Sequence, residues 1–401
     1  MSEHIRWITE EIRHVCENYK ERVAGSESVR ACMDYMAGHL CGIADRVVTE
    51  PFTLHPQAWI GSIALQGTLD VLGVICYWMG YVLSARALTA LSVLLFLGSI
   101  LSWVFEYVLY GPAFDFLYPK KDAVNLFAER KAAGETKRRV ILCGHADAAY
   151  EISFFQHELK AWAIYLLILG ADVGMFFCCG FGVAALAGTA APTLRIFGIV
   201  EAVLLIVYIP WIFFINWRVV VDGANDNLTG CYIAMSILKE MAENDERLEH
   251  TDVCCLITDG EESGLRGALA YAEAHRQELL DSDSIVIALD TIHDPNELAI
   301  YHRGINFTQK NSPEVCELLH EAGLACGRDL PYAGFYPGGT DAEAFSRYGI
   351  RAAGLCAVQH TPSTYYHTRH DSWDNLNPEG IELARAVVLE ALRLADRRDL
   401  T

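Results

Sequence analysis

The sequence lacks features that would assign it to several common protein classes. Basic residues are scarce: 31 lysines and arginines stand against 51 acidic residues, which gives a net charge of -20 in 401 residues. So acidic a chain lacks the basic surface that phosphate binding requires, and we predict no nucleic-acid partner. It has no low-complexity segment, and with 52% hydrophobic residues it is too apolar for a disordered chain.

The cysteines and the N-terminal residues lack the patterns of a secreted protein. The 13 cysteines are odd in number and irregularly spaced, and no CxxC pair suggests a thiolate zinc site. Scattered thiols fit a reducing compartment better than a disulfide framework. Residues 1–30 are charged and helix-like, without the apolar core of a signal peptide. These features favour a cytoplasmic location for the polar sequence.

The apolar excess is concentrated in two regions, 58–110 and 161–217, and each region reads as two apolar runs. Each run has roughly 22 to 28 residues, which is long enough to cross a hydrocarbon core of about 30 Å. Buried hairpins of a soluble core are the alternative, but four such runs are too many for a core of this size. We predict an integral membrane protein with four spans and a lipid bilayer as partner.

Basic residues near the span ends predict the orientation. Two hairpins return the chain to its starting side, so that the termini and the polar sequence share one face of the membrane. The basic residues on that face are Arg46, Lys120, Lys121, Lys160 and Arg218. The connecting turns carry only Arg86 and Arg195. By the positive-inside rule, the polar sequence, including any domain that it forms, is predicted to be cytoplasmic.

Each predicted span holds one carboxylate, and no basic residue inside a span could pair with it. These residues are Asp70, Glu106, Asp172 and Glu201. Acids within a bilayer are costly and are functional candidates. We favour a structural interpretation, in which Glu106 and Glu201 lie near water and the two aspartates are protonated and hydrogen-bond between helices. A proton or cation path is the alternative.

The polar remainder, about 300 residues, has the size of one α/β domain. Short β-prone runs alternate with helical periods, which is typical of a layered sheet whose strands are covered on both faces. The strand candidates are 46–52, 124–128, 139–143, 253–257, 285–289 and 352–356. The helical periods, after an opening amphipathic helix, lie near 227–243, 264–279, 311–325 and 378–396.

Residues with metal-ligand chemistry lie at the ends of these strands or start a helix. They are His145, Asp147, Asp226, Glu261, Glu262, Asp290 and His367. An open α/β sheet binds ligands at the carboxyl ends of its strands. Histidine nitrogens and carboxylate oxygens converging there are suited to a zinc pair. Each motif alone is a weak signal, because paired glutamates are usually solvated, but together and in this order they are a strong one.

The polar sequence resembles the co-catalytic zinc aminopeptidases, family twenty-eight of the metallopeptidases, which also contains glutamate carboxypeptidases and glutaminyl cyclases. The resemblance extends from Arg46 to about Leu394. Its motifs are NLFAERKAAGE…RRVILCGHAD, DGANDNLTG, TDGEESGLRG, IALDTIHD, GGTDAEAF and YYHTRHDSWDNLNPEG. It implies an α/β zinc exopeptidase fold, a mixed central sheet flanked by helices, with two inserted transmembrane hairpins.

The implied organisation is one peptidase domain that is interrupted twice. The parts of the peptidase domain are 1–57, 111–160 and 218–401, and the transmembrane hairpins are 58–110 and 161–217. The first hairpin falls between the first two strands. The second falls between the HxD strand and the GANDN segment.

The resemblance also implies the cofactor and its ligands. His145 and Asp290 match the ligands of one zinc ion. Glu262 and His367 match those of a second, and Asp226 matches the carboxylate that bridges both metals. We therefore expect two zinc ions, or other divalent metals in their place.

Two further carboxylates match catalytic roles in the family. Glu261 matches the general base, and Asp147 matches the acid that orients the first histidine. The implied activity is that of an aminopeptidase, which hydrolyses amide or peptide bonds at the N-terminus of a peptide or amide substrate. The alternatives are a hydrolase of amphipathic amides such as N-acyl amino acids or lipopeptides, a catalytically silent scaffold, and a transport protein. A homodimer is left open.

The chain departs from the family pattern at positions that concern the substrate. Ala148 follows the HxD motif where a serine is frequent, and Ala342 stands where many members have a histidine after Asp341. Retention of both His145 and Asp147 favours two metals and hence hydrolysis over cyclisation. Four more histidines are expected to be structural or to face the substrate, namely His293, His302, His360 and His370.

Overall fold

The computed structural model describes residues 1–154, 161–358 and 365–398. Lys160 and His360, which the sequence analysis names, lie outside these ranges. The chain separates into two compact units. Unit 1 comprises Met1–Pro56, Lys120–Glu151 and Arg218–Thr401, and unit 2 comprises Gln57–Pro119 and Ile152–Trp217. The predicted boundaries at 58–110 and 161–217 stay predictions of where the chain enters and leaves a bilayer.

The described residues form eleven strands. In chain order these are β1 (Arg46–Leu54), β2 (Lys121–Arg130), β3 (Arg138–His145), β4 (Tyr150–Ile152), β5 (Ile215–Val220), β6 (Thr251–Thr258), β7 (Ser284–Asp290), β8 (Ala299–Gly304), β9 (Gln309–Lys310), β10 (Tyr332–Gly334) and β11 (Arg351–Cys356). Nine of them form one sheet in the order β1-β2-β6-β3-β7-β11-β8-β10, with β9 paired to β8, while β4 pairs with β5.

The large sheet is mixed, which confirms the predicted fold class. β3 runs parallel to β6 and β7, and β11 runs parallel to β7, whereas β1, β2 and β8 pair antiparallel to their neighbours β2, β6 and β11. All residues of β6 and β7 are buried. Burial on both faces explains why these strands read as continuous apolar runs.

Twelve α-helices lie in the described part of the chain. They are α1 (Glu3–Asn18), α2 (Glu27–Leu40), α3 (Ala58–Leu83), α4 (Arg86–Ser102), α5 (Ala161–Leu186), α6 (Ala191–Ile212), α7 (Thr229–Glu243), α8 (Arg266–Ala274), α9 (Arg276–Asp281), α10 (Pro313–Ala325), α11 (Asp341–Arg347) and α12 (Pro378–Arg397). Residues of α1, α2, α7, α10 and α12 share one hydrophobic core with alternate residues of the central strands. α8, α9 and α11 contact the sheet but contribute no residue to that core.

The sequence prediction differs from the structure at two element ends. The fourth predicted span was expected to reach Trp217, but its helix ends at Ile212 and Ile215–Val220 forms β5. The amides of Phe213 and Phe214 bond to carbonyls only three residues earlier, which closes the helix in a tight turn. The helical period near 264–279 is likewise broken into α8 and α9.

Helix α7 approaches the sheet backbone to backbone because two glycines remove the side chains in between. A Cβ on Gly144 of β3 would lie 2.8 Å from the amide nitrogen of Cys231. A Cβ on Gly230 would lie 2.4 Å from the carbonyl oxygen of Leu289 in β7. This contact places the segment that precedes α7, which contains Asp226, against the carboxyl ends of both strands.

Unit 2 contains four helices, α3 to α6, and each is long and apolar enough to cross a membrane when α4 is taken together with the π-helical residues Trp103–Val108 that continue it. Each of them packs against two others, α3 with α4, α4 with α5, α5 with α6, and α6 with α3. Small and polar residues face inwards, as Gly67, Asp70 and Gly73 of α3 and Ser99 of α4 show. Large apolar residues face outwards, for example Ile206, which is 75% exposed.

Hydrogen bonds connect the helices of unit 2. The Ser92 hydroxyl donates to the carbonyl of Gly73 at 2.8 Å, and the Trp78 indole donates to that of Gly198 at 2.9 Å. All four carboxylates of the apolar helices are buried. The expectation that Glu106 and Glu201 lie near water is therefore wrong, because neither side chain has exposed surface.

We predict that Gly230→Ala lowers the free energy of unfolding by about 1–3 kcal/mol, because the new methyl group meets backbone atoms that cannot move aside. Urea unfolding of the purified protein measures the change. Gly38→Ala in α2 is the matched control, since a Cβ there meets nothing within 4 Å. The control gains up to about 1 kcal/mol from helix propensity. Equal stability of both variants would show that α7 does not need the close approach.

Candidate metal centre

The parallel strands bring most of the predicted site residues to one edge of the sheet. His145 is the last residue of β3, and Asp290 is the last residue of β7. Glu261 and Glu262 follow the end of β6 after Asp259 and Gly260. Because β6, β3 and β7 are neighbours and run parallel, their carboxyl ends meet at the same edge.

Asp226 lies between the two histidines and offers one carboxylate oxygen to each. Its Oδ1 is 3.2 Å from Nε2 of His145, and its Oδ2 is 3.2 Å from Nε2 of His367. The hydrogen bond from Nδ2 of Asn227 to the carbonyl of Leu289, 2.7 Å long, ties the Asp226 segment to the end of β7. Division of the two oxygens between two imidazoles is the geometry expected of a carboxylate that bridges two ions.

The other three carboxylates surround these groups. Nε2 of His145 is 3.7 Å from Oε2 of Glu261 and 3.9 Å from Oδ1 of Asp290. Nε2 of His367 is 3.4 Å from Oε1 of Glu262. The structure therefore brings together all five residues that were predicted as ligands, and Glu261 with them. Their roles stay predictions.

Two overlapping groups of ligand atoms could each hold an ion. One group is His145, Asp226 and Glu262, and the other is His145, Glu261 and Asp290; within each group the ligand atoms lie within 4.8 Å of one another. The predicted pairing differs, because it placed Glu262 with His367 and kept Glu261 as a base. Nε2 of His145 and Oε1 of Glu262 are buried without a hydrogen bond among the described residues, as cation ligands would be.

Asp147 is fully buried and organises the segment that carries the two glutamates. Its carboxylate accepts hydrogen bonds from the backbone amides of Glu261 at 3.2 Å and Glu262 at 3.1 Å. Nδ1 of His145 lies 3.1 Å from the carbonyl oxygen of Asp147 and 3.4 Å from its Oδ1. Asp147 thus contacts the imidazole as predicted and also positions Glu261 and Glu262, which the sequence did not indicate.

The electrostatics of the cluster are those of carboxylates in excess of cations. Burial, together with the nearby charge of Asp226, raises the pKa of Asp290 to about 8. Burial also raises the pKa of Glu261 and of Glu262. Burial opposes the protonated imidazole of His367, but Glu262 and Asp226 outweigh this and raise its pKa to about 10. A divalent cation would neutralise these carboxylates in place of protons.

Asp371 is a buried residue of the site that sequence reasoning missed. Its Oδ1 accepts hydrogen bonds from the amide of Asn225 at 2.7 Å and from its Nδ2 at 2.9 Å, and its Oδ2 accepts from the amide of Asp226 at 3.2 Å. Asp371 therefore holds the backbone that presents the bridging carboxylate. The available signal was its position four residues after His367, within the quoted HDSWDN segment.

Two more side chains lie beside the cluster. The ring of Tyr366 stacks on that of His367 at 4.1 Å between centroids. Burial raises the pKa of Tyr366, and the charges of Asp226 and Glu262 add to this. Asp341 is buried, and its Oδ2 accepts a hydrogen bond of 2.6 Å from the Thr258 hydroxyl.

The remaining histidines of the sequence analysis do not join the metal-ligand groups found within the described ranges. The rings of His293 and Tyr365 are tilted by 35° with their centroids 4.4 Å apart, and His302 lies edge-on to Tyr332 at 6.2 Å. His370 is exposed.

The fold and the cluster define the class, an α/β protein with a histidine–carboxylate centre at the carboxyl edge of its sheet. The family model "Peptidase family M28" matches residues 212–392. This match confirms the resemblance inferred from the sequence motifs. No curated protein sequence matches the chain.

Solved structures of the same fold are similar over nearly the whole chain. The aminopeptidase from Aneurinibacillus sp. strain AM-1 has a TM-score of 0.58 and 13% identity, with 98% of this chain and 93% of that chain covered. The zinc aminopeptidase from Bacillus subtilis has a TM-score of 0.57 and 12% identity, with 99% of this chain and 96% of that chain covered. The glutaminyl cyclase from Fimbriiglobus ruber has a TM-score of 0.57 and 13% identity, with 97% of this chain and 95% of that chain covered. Family match and fold together support a peptidase-like hydrolase.

We predict that Asp371→Asn weakens binding of a divalent metal by about 10- to 100-fold, the usual effect of removing a group that orients a ligand. The side-chain NH2 group of the new asparagine would face one of the backbone N–H groups that now donate to the Asp371 carboxylate. Two donors would then meet, and one hydrogen bond would be lost. Titration of metal-free protein with Zn²⁺ or Co²⁺ measures the affinity. Asp374→Asn, an exposed change in the same segment, should bind metal like the unmodified protein. Equal losses in both variants would refute the role of Asp371.

Proposed function

We propose that the protein is a membrane-embedded di-zinc aminopeptidase that removes N-terminal residues from peptides. The observation that carries this proposal is the position of Asp226, whose two carboxylate oxygens each face a different histidine within a ring of buried carboxylates. Two metal ions would share such a carboxylate. The zinc aminopeptidase fold of the neighbouring structures supports the same assignment.

The residues fit a pair of zinc ions. His145 and Asp290 would hold one ion, Glu262 and His367 the other, with Asp226 between them. Nitrogen and carboxylate oxygen are ordinary zinc ligands. The excess of buried carboxylates over imidazoles supplies negative charge for two divalent ions. When bound, the ions would lower the pKa of a water molecule and polarise the carbonyl of the scissile bond.

Glu261 is proposed to move the proton. The backbone amide of Glu261 donates a hydrogen bond to the carboxylate of Asp147, which fixes the position of the Glu261 backbone. The pKa of Glu261 is raised by burial, which suits a group that takes a proton from water and passes it to the leaving amine near neutral pH. Tyr366, against His367, is proposed to donate a hydrogen bond to the substrate carbonyl. The carboxylates would also favour a substrate with a free, positively charged α-amine.

Two other reactions remain candidates for this fold. Glutaminyl cyclases are among the similar structures, and the same carboxylates could serve cyclisation of an N-terminal glutamine. The four apolar helices favour a second substrate class, amphipathic amides such as N-acyl amino acids or lipopeptides. A silent scaffold is disfavoured because every matching ligand position is retained.

We propose that unit 2 spans the bilayer and that the polar sequence faces the cytoplasm. The large apolar side chains of unit 2 point outwards and its interior is small or polar, which suits lipid rather than water as the surrounding solvent. Glycines and interhelical hydrogen bonds are typical of helix packing in membranes. The orientation is supported by Arg46, Lys120, Lys121 and Arg218, against Arg86 and Arg195 in the turns.

We predict that Glu261→Gln lowers kcat by at least about a hundredfold while both metal ions remain bound, because the amide cannot take a proton. Release of the N-terminal residue from a peptide library and zinc quantification measure the two quantities. Glu27→Gln, an exposed change at the start of α2, is the control and should keep full activity.

The products separate the candidate reactions. Free glutamine from a peptide with N-terminal glutamine indicates hydrolysis, whereas ammonia and a pyroglutamyl end indicate cyclisation. Preference for acylated or lipid-linked amides in detergent would favour the second substrate class. Zinc-loaded protein that converts none of these substrates would refute the proposed activity.

We predict that the protein resists extraction by alkaline carbonate and that its single exposed cysteine, Cys41, is shielded from impermeant thiol reagents in intact cells. In a Cys41→Ser background, Ala187→Cys at the end of α5 should be labelled from outside. If Cys41 is labelled in intact cells and the cysteine at position 187 is not, the orientation is opposite to the one proposed. If alkaline carbonate extracts the protein, unit 2 does not span the bilayer.

A further inference from the structure

Arg22 is a cationic side chain enclosed almost completely by unit 1. It lies between α1 and α2 and is 1% exposed. Arginine is rarely buried to this degree without an acidic partner. No ion pair of Arg22 occurs within the described residues. Within the described residues, its hydrogen bonds are made to groups other than carboxylates, although the charge of Asp222 also acts on it.

The main acceptors of these hydrogen bonds are backbone carbonyl groups of two separate loops. Nε of Arg22 donates to the carbonyl of Ala146 at 2.9 Å. One terminal nitrogen donates to the carbonyl of Asp222 at 2.7 Å, and to that of Gly223 at 3.4 Å. The other terminal nitrogen donates to the carbonyl of Tyr19, three residues earlier in the chain, at 3.2 Å.

These loops are the ones that carry the candidate metal ligands. Ala146 lies between His145 and Asp147, and the 222–223 pair stands just before Asp226. The backbone of Arg22 joins the same loop, because its carbonyl accepts a hydrogen bond from the amide of Ala148 at 2.8 Å. The guanidinium thus connects the end of β3 to the segment before α7.

We propose that Arg22 is a positioning residue that holds His145 and Asp226 in register, so that the metal site is formed before any metal binds. This inference rests on the proposed function in so far as the aligned residues are metal ligands. A guanidinium has several donors in a rigid fork and can serve two loops at once, whereas a lysine presents all its donors from one nitrogen.

Arg130 provides a matched control elsewhere in unit 1. It is 6% exposed, and within the described residues its side chain also donates to backbone carbonyls, those of Ile43, Met241 and Glu246. None of these carbonyls belongs to the two loops at the metal centre. Loss of either arginine leaves buried carbonyls without a donor, so general destabilisation should be similar in the two variants.

The experiment compares Arg22→Met with Arg130→Met in the full chain by two measurements. Titration of metal-free protein with Co²⁺, followed by its visible absorption, should show affinity reduced by about 10- to 100-fold for Arg22→Met and unchanged for Arg130→Met. Hydrogen exchange of metal-free protein should rise at 145–149 and 221–228 for Arg22→Met alone. Arg22→Lys should give an intermediate result, and it replaces Arg22→Met if that variant does not fold.

Equal Co²⁺ affinity and equal exchange in the Arg22 and Arg130 variants would overturn the proposal and leave Arg22 as a packing residue. Failure of the proposed function looks different. In that case the unmodified protein binds no Co²⁺, but faster exchange at both loops in the Arg22 variant would still establish that Arg22 aligns them.

Discussion

The structure of unit 1 depends on the convergence of buried negative charge at one edge of a parallel sheet. Carboxylates at the ends of β3, β6 and β7 cannot be brought together in a dry interior without compensation. The protein meets this cost locally with backbone amides, which donate to Asp147 and Asp371, and with the imidazoles of His145 and His367. At the centre of the cluster these groups do not compensate all of the negative charge of the carboxylates. The cluster is therefore suited to bind cations.

The two units solve opposite solvation problems. In unit 1 the central strands β6 and β7 are buried on both faces, and the candidate ligands lie at one edge of the sheet. In unit 2 the distribution is reversed, since Asp70, Ser99 and Glu201 are enclosed while Leu94 and Ile206 are exposed. A single hydrophobic average over the chain conceals this contrast, which only the positions of the residues along each helix reveal.

Much of the architecture could be predicted from sequence because its signals are local. Continuous β-prone runs indicated β3, β6 and β7, and the length of the apolar runs indicated α3 to α6. β4, β9 and β10 were missed because two or three residues carry no periodicity. β8 was also missed, and the first half of β5 was included in the second apolar region, 161–217. The site residues were found through motifs that follow strands or precede a helix, and their roles through the resemblance to the zinc aminopeptidases.

The supporting residues could not be predicted in the same way. Arg22 lies 124 and 200 residues from the carbonyls of Ala146 and Asp222 that accept its hydrogen bonds. These acceptors are backbone atoms, which every residue possesses, so no pattern of residue types points to them. Asp371 escaped notice for the same reason, since its partners include the amides of Asn225 and Asp226.

Unit 1 is assembled from three stretches of chain, and this has a consequence for how the protein is made. During synthesis β1 emerges before the first pair of apolar helices, its partner β2 only after them, and Asp226 only after the second pair. The sheet edge that carries the candidate ligands is therefore complete only after the ribosome has synthesised all four apolar helices. An unfinished chain that has not reached Asp226 therefore lacks part of the candidate metal site, which cannot exist before that residue has been added.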